Sequence, residues 1–344
     1  MKLALNCYAP STPTGLGTLC RALWKLLPFD VLLAARHKNF GCELPYENGR
    51  TVLEMGSEGT TSQALGQLEM DCIVAVERCM PGNLFRAAHK AGMRTVLIVM
   101  HEWLNTDCEW LPDTDLFVCP NAISERKCLR LGILQERVRR CCLPLDLESL
   151  PFTLRTCAVR FVFSNGWGGV HDRKGWPEMR QALEMMEPKE RQQVTICSQK
   201  MVGPVGGASF RTDVPSVEDR YANCDVAVVP SRTEGLGLAI LEPLALGLPV
   251  LTTTAEPMCR YLEAAYGDLA RRCLLPLSCQ REVSIWGHSV WSNICSPAEI
   301  VDAVRAARDW PADVVQELSR RGRQYIEAEW GVTAGEKLLE AVRG

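Results

Sequence analysis

The sequence predicts an α/β protein built from two Rossmann-like domains, each with a parallel sheet, facing each other across a cleft. Three observations support this fold class. The chain has 344 residues, about twice the usual domain size. Short apolar runs alternate with helical patterns, which is typical of parallel sheets with crossover helices. The alternation pauses once, in a proline-containing stretch at 143–155, and then restarts.

The first half of the chain supplies five predicted strands and three predicted helices. The strands are short apolar runs, and they lie at 2–7, 30–34, 72–76, 95–100 and 116–119. The helical patterns lie at 18–27, 83–91 and 123–131. We therefore expect a first domain over 1–150.

The second half repeats this pattern after the predicted linker. Predicted strands lie at 160–164, 194–197, 226–229 and 249–252, and predicted helices lie at 176–186 and 238–246. Two further helices, at 297–308 and 312–341, close the chain. We expect a second domain over 151–325 and then a C-terminal helix over 326–344.

Composition and charge exclude several classes of protein. With 47% hydrophobic and 23% charged residues, the chain can bury a core and is not expected to be disordered. Its net charge of -3 gives no global attraction to nucleic acid or acidic membranes, so any such contact would be local. The longest apolar runs are too short to span a bilayer.

Cysteine usage indicates the compartment. The 17 cysteines contain no C-x-x-C pair and many stand in apolar runs, so we expect reduced thiols rather than disulfides or zinc sites. The apolar start at 1–5 is too short for a secretion signal. We therefore expect a cytoplasmic protein with no integral membrane segment.

The most informative stretch runs from Pro230 to Val250. A strand ends at Pro230, a loop with Gly235 and Gly237 follows, and a helix begins near Leu238. Glycines let backbone N–H groups approach a ligand, and a helix N-terminus favours negative charge. This loop therefore suits a phosphate.

Two carboxylates, Glu234 and Glu242, flank the loop. A carboxylate beside a bound anion is unfavourable unless it binds hydroxyls, which a sugar and a ribose on either side of a diphosphate would supply. The stretch resembles the E-x7-E signature of retaining GT-B glycosyltransferases, in particular the large family 4, with these residues at the two glutamate positions. The alternative is a structural strand–turn–helix with incidental carboxylates.

The resemblance implies a role for each of these residues. Glu242 would bind the donor ribose, and Glu234 would bind the transferred sugar. The diphosphate would be held by the backbone amides of four successive residues: Gly235, Leu236, Gly237 and Leu238.

Two positions in the first half agree with the resemblance. Gly15 and Gly17 follow the first strand, where the family has a glycine loop close to the donor diphosphate. A plain tight turn is the alternative. His101 follows the strand at 95–100, where the family often carries a histidine near the reacting sugar. A structural histidine is the alternative there.

The second half opens with a segment that resembles the family's basic diphosphate clamp. Lys174 matches its lysine, whose charge would stabilise the departing diphosphate. Many members carry an arginine six residues earlier, where this chain has Gly168, and Arg173 is the candidate replacement. A solvated basic pair before a helix is the alternative. The last helix, with Trp330, resembles the one that crosses back to the first domain in GT-B proteins.

We expect no metal ion and no cofactor. Asp113 and Asp115 form a D-x-D sequence, but they precede an apolar strand and no carboxylate cluster accompanies them. Basic residues gather late in the first domain, and we expect a solvated face there, with contact to an anionic acceptor or a membrane surface as the alternative. They are Arg126, Lys127, Arg130, Arg137, Arg139 and Arg140.

The resemblance therefore implies a metal-independent, retaining glycosyltransferase, cytoplasmic or peripheral to a membrane. The donor would be a nucleoside-diphosphate sugar with UDP or GDP, and the acceptor would present a hydroxyl on a glycan, a lipid or a small molecule. A modified DNA base is a less favoured acceptor because the chain is acidic overall. A sugar-nucleotide epimerase of the same fold and a non-catalytic sugar-nucleotide-binding protein are the alternatives.

Overall fold

The computed structural model of the chain describes residues 1–12, 14–35, 50–56, 59–166, 172–199, 205–212, 216–285 and 288–344. Its internal contacts divide the chain into two compact units. The first unit comprises Met1–Asp146 and Trp330–Gly344, and the second comprises Leu147–Glu329. Gly168, the position of the missing family arginine, lies outside the described residues.

The first unit contains a seven-stranded sheet in which every pair of neighbouring strands is parallel. Several of its strands are buried along their whole length, because helices cover both faces of such a sheet. The strands are β1 Leu3–Tyr8, β2 Val31–Ala35, β3 Thr51–Met55, β4 Cys72–Val76, β5 Arg94–Ile98, β6 Leu116–Cys119 and β7 Val138–Arg140. The helices before β7 are α1 Gly15–Leu26, α2 Ser62–Gly66, α3 Leu84–Lys90 and α4 Ala122–Arg130.

The strand order in this sheet is β3-β2-β1-β4-β5-β6-β7. The chain builds outward from β1 to β3 and then crosses to the other side of β1 to begin β4. The carboxyl ends of β1 and β4 therefore lie side by side where the order reverses, the position at which open α/β sheets bind ligands.

The second unit repeats this order in a six-stranded parallel sheet, β10-β9-β8-β11-β12-β13. Here β8 and β11 flank the reversal point. The strands are β8 Phe161–Gly166, β9 Val194–Ser198, β10 Ser209–Arg211, β11 Val226–Val229, β12 Val250–Thr253 and β13 Leu274–Leu275, followed by the antiparallel hairpin β14 Cys279–Ile285 and β15 His288–Ile294. The helices are α5 Trp176–Met185, α6 Pro188–Arg191, α7 Val217–Tyr221, α8 Leu238–Leu246, α9 Met258–Tyr266, α10 Pro297–Arg308 and α11 Ala312–Trp330.

The single helix predicted over 312–341 is wrong, because two helices occupy this segment. Helix α11 ends at Trp330, and α12 spans Val332–Arg343. Gly331 separates them in an extended conformation, which glycine adopts at little cost. Helix α12 packs on the first unit, where a Cβ added at Gly335 would lie 3.0 Å from the Leu27 side chain.

The predicted α/β architecture with two parallel sheets is confirmed. In the part of the chain that the structure describes, no helix combines the length and the apolar character needed to cross a membrane.

Candidate functional site

The glycine loop lies between β11 and α8, at the reversal point of the second sheet. Gly237 is the N-cap residue of α8 and has a φ of 82°, a conformation that favours glycine. A Cβ added there would lie 3.1 Å from the ring of Tyr261, whose hydroxyl donates a hydrogen bond to the Leu236 carbonyl oxygen at 2.9 Å. Tyr261 therefore holds the loop in place, and only glycine fits beneath it.

Helix α8 places its first-turn backbone amides directly after this loop. Amides at a helix start have no partner within the helix and carry partial positive charge, so they attract an anion. Gly235, Leu236 and Gly237 are buried, whereas Leu238 is partly exposed. The backbone geometry of the loop therefore suits an anion, and contact of these amides with a diphosphate stays a prediction.

Glu234 directly precedes Gly235 at the start of this loop and is buried, with 4% of its surface exposed. Its Oε1 accepts hydrogen bonds from Lys174 Nζ at 2.5 Å and from Ser231 Oγ at 2.6 Å. Burial raises the pKa of Glu234, but the positive charges of Lys174 and Arg173 and the two hydrogen bonds outweigh it, so the pKa is lowered overall. Glu234 is therefore the buried partner of an ion pair whose lysine is partly exposed.

The loop that carries Lys174 follows β8, the strand beside β11. Gly175 has a φ of 73°, and a Cβ added there would lie only 2.1 Å from the Pro230 carbonyl oxygen. The Arg232 amide donates a hydrogen bond to the Arg173 carbonyl oxygen at 2.7 Å. These backbone contacts join the two loops and bring Lys174 to Glu234.

Glu242 lies in α8 with 3% of its surface exposed. Its Oε2 accepts a hydrogen bond from Arg220 at 2.9 Å. Burial raises the pKa of Glu242, and the positive charges of Arg220 and Lys174 oppose the rise without cancelling it. Glu234 and Lys174 both act electrostatically on this carboxyl, so the two glutamates belong to one charged cluster.

Three residues of this site had no role in the sequence-based account. Ser231 orients Glu234, Arg220 pairs with Glu242, and Arg232 binds Glu178 through two hydrogen bonds of 2.6 and 3.2 Å. Ser231 and Arg232 lie in the Pro230–Val250 stretch just before Glu234, so their place beside the first glutamate was the signal that could have found them. Arg220 lies in α7, where no motif marks it.

Gly15, Gly17 and His101 lie in the first unit. Gly15 begins α1, and the Gly17 amide donates a hydrogen bond to the Thr14 side chain at 3.1 Å. A Cβ added at Gly17 would lie 1.9 Å from the Thr12 carbonyl oxygen, so close packing alone requires this glycine. Contact of these glycines with a diphosphate stays a prediction.

His101 begins a short turn, His101–Trp103, after β5. Its ring is buried, with Nδ1 3.6 Å from Oε2 of Glu102, which is also buried. The histidine thus stands at the carboxyl end of a central strand, as the sequence suggested, while its role in a reaction stays a prediction.

The D-x-D aspartates stand at the amino end of β6, away from the edge where the loops of the sheet gather. Asp115 Oδ2 accepts hydrogen bonds from the Thr95 amide at 2.8 Å and lies 3.0 Å from His89 Nε2. Asp113 faces Arg86 at 3.4 Å. Among the described residues, no group of three or more His, Cys, Asp or Glu side chains is arranged to hold a metal ion.

The basic cluster divides into two kinds of residue. Arg137 donates a hydrogen bond to the Thr114 carbonyl oxygen and its guanidinium lies 5.5 Å from the Phe117 ring centroid, so it supports the fold. Arg139 and Arg140 are exposed on the edge strand β7. Charges on an edge strand prevent pairing with other chains, which explains this pair without a ligand.

Comparison with known proteins identifies the fold. Residues 205–270 match the family described as glycosyl transferases group 1, and this stretch contains both glutamates and the glycine loop. No curated protein matches the chain by sequence.

Solved structures match over the whole length. HepE of Anabaena in complex with UDP-glucose has 13% identity and a TM-score of 0.72, with 100% of this chain and 99% of that chain covered. WaaG, a glycosyltransferase involved in lipopolysaccharide biosynthesis, has 12% identity, a TM-score of 0.67 and 99% and 100% coverage. Sucrose-phosphate synthase of Thermosynechococcus elongatus has 12% identity, a TM-score of 0.68 and 100% and 98% coverage. The fold is therefore GT-B, and together with the family match it supports sugar transfer.

Proposed function

We propose that this chain is a retaining, metal-independent glycosyltransferase that moves a sugar from a nucleoside-diphosphate sugar to an acceptor hydroxyl. The observation that carries the proposal is the ion pair between the partly buried Lys174 and the buried Glu234 beside the glycine loop. A cation and a hydroxyl-binding carboxylate meet there beside helix amides, which are the groups that a sugar diphosphate needs.

The proposed reaction breaks the bond between the sugar C1 and the diphosphate and forms a bond from C1 to the acceptor oxygen. The diphosphate leaves with the bonding electron pair, and the acceptor hydroxyl passes its proton to an oxygen of the departing diphosphate. Lys174 and the first-turn amides of α8 would stabilise the charge that grows on the leaving group. Glu234, held as a carboxylate, would bind hydroxyls of the sugar as its ring gains positive charge.

Glu242 would bind the ribose hydroxyls of the donor. Arg220 donates a hydrogen bond to one of its carboxylate oxygens, and an ionised carboxylate can accept further hydrogen bonds from a diol. Arg220 would be a positioning residue, because it would act on the donor only through Glu242.

Retention of configuration rests on the likeness of the E-x7-E stretch to the retaining family. An epimerase of the same fold and a non-catalytic binder remain the competing functions. The three differ in what they do to a donor without an acceptor. An epimerase converts the sugar, a transferase slowly hydrolyses the donor, and a binder leaves it intact.

The test begins with a thermal-shift screen of UDP, GDP and ADP, because a matching diphosphate raises the melting temperature by mass action. UDP is the first candidate, since the Anabaena neighbour holds UDP-glucose. The Lys174→Met variant should lose the shift, and the exposed Lys189→Met in the same unit serves as the matched control. Labelled donors of the matching nucleotide are then incubated alone with the wild type. Slow release of free sugar supports the proposal, while an epimerised or unchanged donor contradicts it.

Metal independence makes a separate prediction. Asp113 and Asp115 are engaged with Arg86, His89 and Thr95, and the anion site consists of amides and a lysine. We expect EDTA to leave the rate of donor hydrolysis largely unchanged. Loss of the rate, restored by manganese or magnesium, would show that a metal acts in this reaction.

A further inference from the structure

The reversal point of the first sheet carries a second cluster that the donor site does not include. Tyr8 is the last residue of β1, and Arg78 follows the neighbouring strand β4 by two residues. Trp103 lies in the turn after β5, the next strand along. These side chains thus come from the carboxyl ends of three adjacent central strands, where α/β proteins bind ligands.

Aromatic rings surround the Arg78 guanidinium. Its Cζ lies 5.5 Å from the Tyr8 ring centroid and 5.2 Å from the Trp103 ring centroid, and one of its terminal nitrogens donates a hydrogen bond to the Tyr8 hydroxyl. Contact with ring faces attracts a cation without neutralising it. The rings therefore hold the guanidinium in place and leave its charge available.

The residues that the structure describes use little of the hydrogen-bonding capacity of Arg78. A guanidinium has five N–H donors. Among the described residues its only side-chain hydrogen bond is the one to Tyr8, its buried Nε has no partner, and no carboxylate lies within ion-pair distance. A buried donor without a partner is rare and calls for an explanation.

Three arginines of the second unit, of which Arg160 is exposed, Arg220 partly buried and Arg232 buried, differ from Arg78 in this respect. Arg220 pairs with Glu242, Arg232 with Glu178 and Arg160 with Asp225. Each of these guanidinium groups meets a carboxylate of the protein. Arg78 therefore has the charge and geometry to bind an oxyanion from outside the chain.

The loop that carries Arg78 is firmly held. Asn6, fully buried in β1, donates a hydrogen bond from Nδ2 to the Met80 carbonyl oxygen at 2.8 Å and accepts one from the Met80 amide at 2.9 Å. Glu77 has a φ of 68°, which turns the chain sharply just before Arg78. A preorganised group binds a ligand with less loss of entropy.

We propose that Arg78, flanked by Tyr8 and Trp103, binds an anionic oxygen group of the acceptor, either a phosphate or a carboxylate. Identifying the ligand as the acceptor rests on the proposed function, whereas the anion site itself rests on this cluster alone. The planar guanidinium suits both groups because it can bind two oxygens of either at once.

The test uses three probes that differ at one position: glucose, glucose 6-phosphate and glucuronate. Ligand-observed NMR measures their binding to the wild type and to Arg78→Gln, Arg78→Lys and Arg140→Gln. Arg140 is the matched control, because it is an exposed arginine of the same unit at the edge strand β7. Melting temperatures confirm that each variant is folded.

We expect at least one anionic probe to bind the wild type more tightly than glucose does. In Arg78→Gln this preference should fall by about tenfold or more, since a charged, bidentate contact is lost, with Arg78→Lys between the two. The probe that responds identifies phosphate or carboxylate. The proposal is overturned if neither anion exceeds glucose, if Arg78→Gln binds as the wild type does, or if Arg140→Gln alone loses binding.

Titration with UDP separates this inference from the proposed function. The donor groups lie in the second unit, so Arg78→Gln should bind UDP as the wild type does. Suppose that neither the wild type nor any variant binds a nucleoside diphosphate, while binding of the anionic probe still requires Arg78. The proposed function then fails and the anion site stands.

Discussion

The two units share one strand order, but opposite kinds of chemistry occupy their reversal points. In the second unit a lysine after β8 meets a carboxylate after β11, and the pair of the partly buried Lys174 with the buried Glu234 is neutral as a whole. In the first unit an arginine after β4 meets the ring of Tyr8 at the end of β1, and its charge stays unneutralised by the described residues. The same topology thus carries different side chains at the two reversal points, and the ligands proposed for the two units differ for that reason.

The difference has an energetic consequence. A buried ion pair needs both partners, because removing one leaves a charge that neither water nor protein compensates. Removing an arginine that contacts aromatic rings leaves no buried carboxylate without its counter-charge among the described residues. We therefore expect charge-removing variants to damage stability in the second unit and ligand binding in the first.

The largest expected effect on stability is that of Arg220→Met. This change leaves Glu242 buried without its partner and should lower the free energy of unfolding by about 3–5 kcal/mol. The double variant Arg220→Met/Glu242→Gln should recover much of the loss, because no buried charge remains. Urea unfolding monitored by circular dichroism measures both.

Arg78→Gln provides the contrast in the first unit. It removes two cation–π contacts and one hydrogen bond, and we expect a loss of only about 1–2 kcal/mol. A loss as large as that of Arg220→Met would mean that Arg78 holds the fold together, and the contrast between the units would not stand.

A loss of stability between those of Arg220→Met and Arg78→Gln is expected of Gly175→Ala, which tests how the two loops of the proposed donor site are joined. The new Cβ would meet the Pro230 carbonyl oxygen, and the residue would keep a positive φ, so we expect a loss of about 2–4 kcal/mol and weaker UDP binding. Gly92→Ala is the control, since Gly92 has a φ of 77° and no atom within 4 Å of an added Cβ. Gly92→Ala should lower the free energy of unfolding by about 1–2 kcal/mol and leave UDP binding unchanged. Equal effects of both variants on UDP binding would show that the joined loops do not position Lys174.

The smallest expected effect is on the pH dependence of stability. The pKa of Glu234 is lowered in the folded state, so its contribution is present above the pKa of the unfolded state and is lost as pH falls. The pKa of Glu242 is raised, so its carboxyl reduces stability as pH rises between the unfolded and folded pKa values.

Melting temperatures of the wild type, Glu234→Gln and Glu242→Gln, taken from neutral to acidic pH, check these opposite signs. The advantage of the wild type over Glu234→Gln should shrink as pH falls. Its advantage over Glu242→Gln should grow. Parallel curves for the two variants would show that the two carboxyl groups share one environment.

Much of the fold could be predicted from periodicity, and the misses have physical causes. Strands β6 and β11 and helices α8 and α10 have the predicted bounds. Each of these strands is preceded by an aspartate and followed by a proline, and each of these helices is flanked by glycine or by polar residues, so the ends are marked in the sequence. The hairpin β14–β15 was missed, since its sequence mixes exposed polar residues with isolated apolar ones. The edge strands β3 and β7 are short and partly exposed, so they lack the apolar signal of a buried strand.

The candidate functional residues likewise include some that the sequence could predict and some that it could not. Glu234, the glycine loop and Glu242 lie on one continuous stretch of chain, so their spacing could be read directly. Tyr8, Arg78 and Trp103 lie on three strands separated in sequence, and only the sheet order brings them together. A sequence motif cannot show such a cluster, because no fixed spacing links its members.

In the proposed reaction the two glutamates have different roles, with Glu242 binding the nucleotide and Glu234 binding the sugar. Calorimetric titration of UDP, or of the diphosphate that the screen selects, into Glu234→Gln and Glu242→Gln separates these roles when it is paired with single-turnover transfer or hydrolysis. Glutamine is the suitable replacement because both side chains are buried.

We expect Glu234→Gln to bind the diphosphate at least as tightly as the wild type while its rate falls by about a hundredfold or more. Glu242→Gln should lose about tenfold in diphosphate affinity, the loss expected for one charged hydrogen bond. If Glu234→Gln loses affinity but keeps its rate, the donor is oriented the other way. If neither variant changes either quantity, the two glutamates do not act on a donor and the glycosyltransferase account is contradicted.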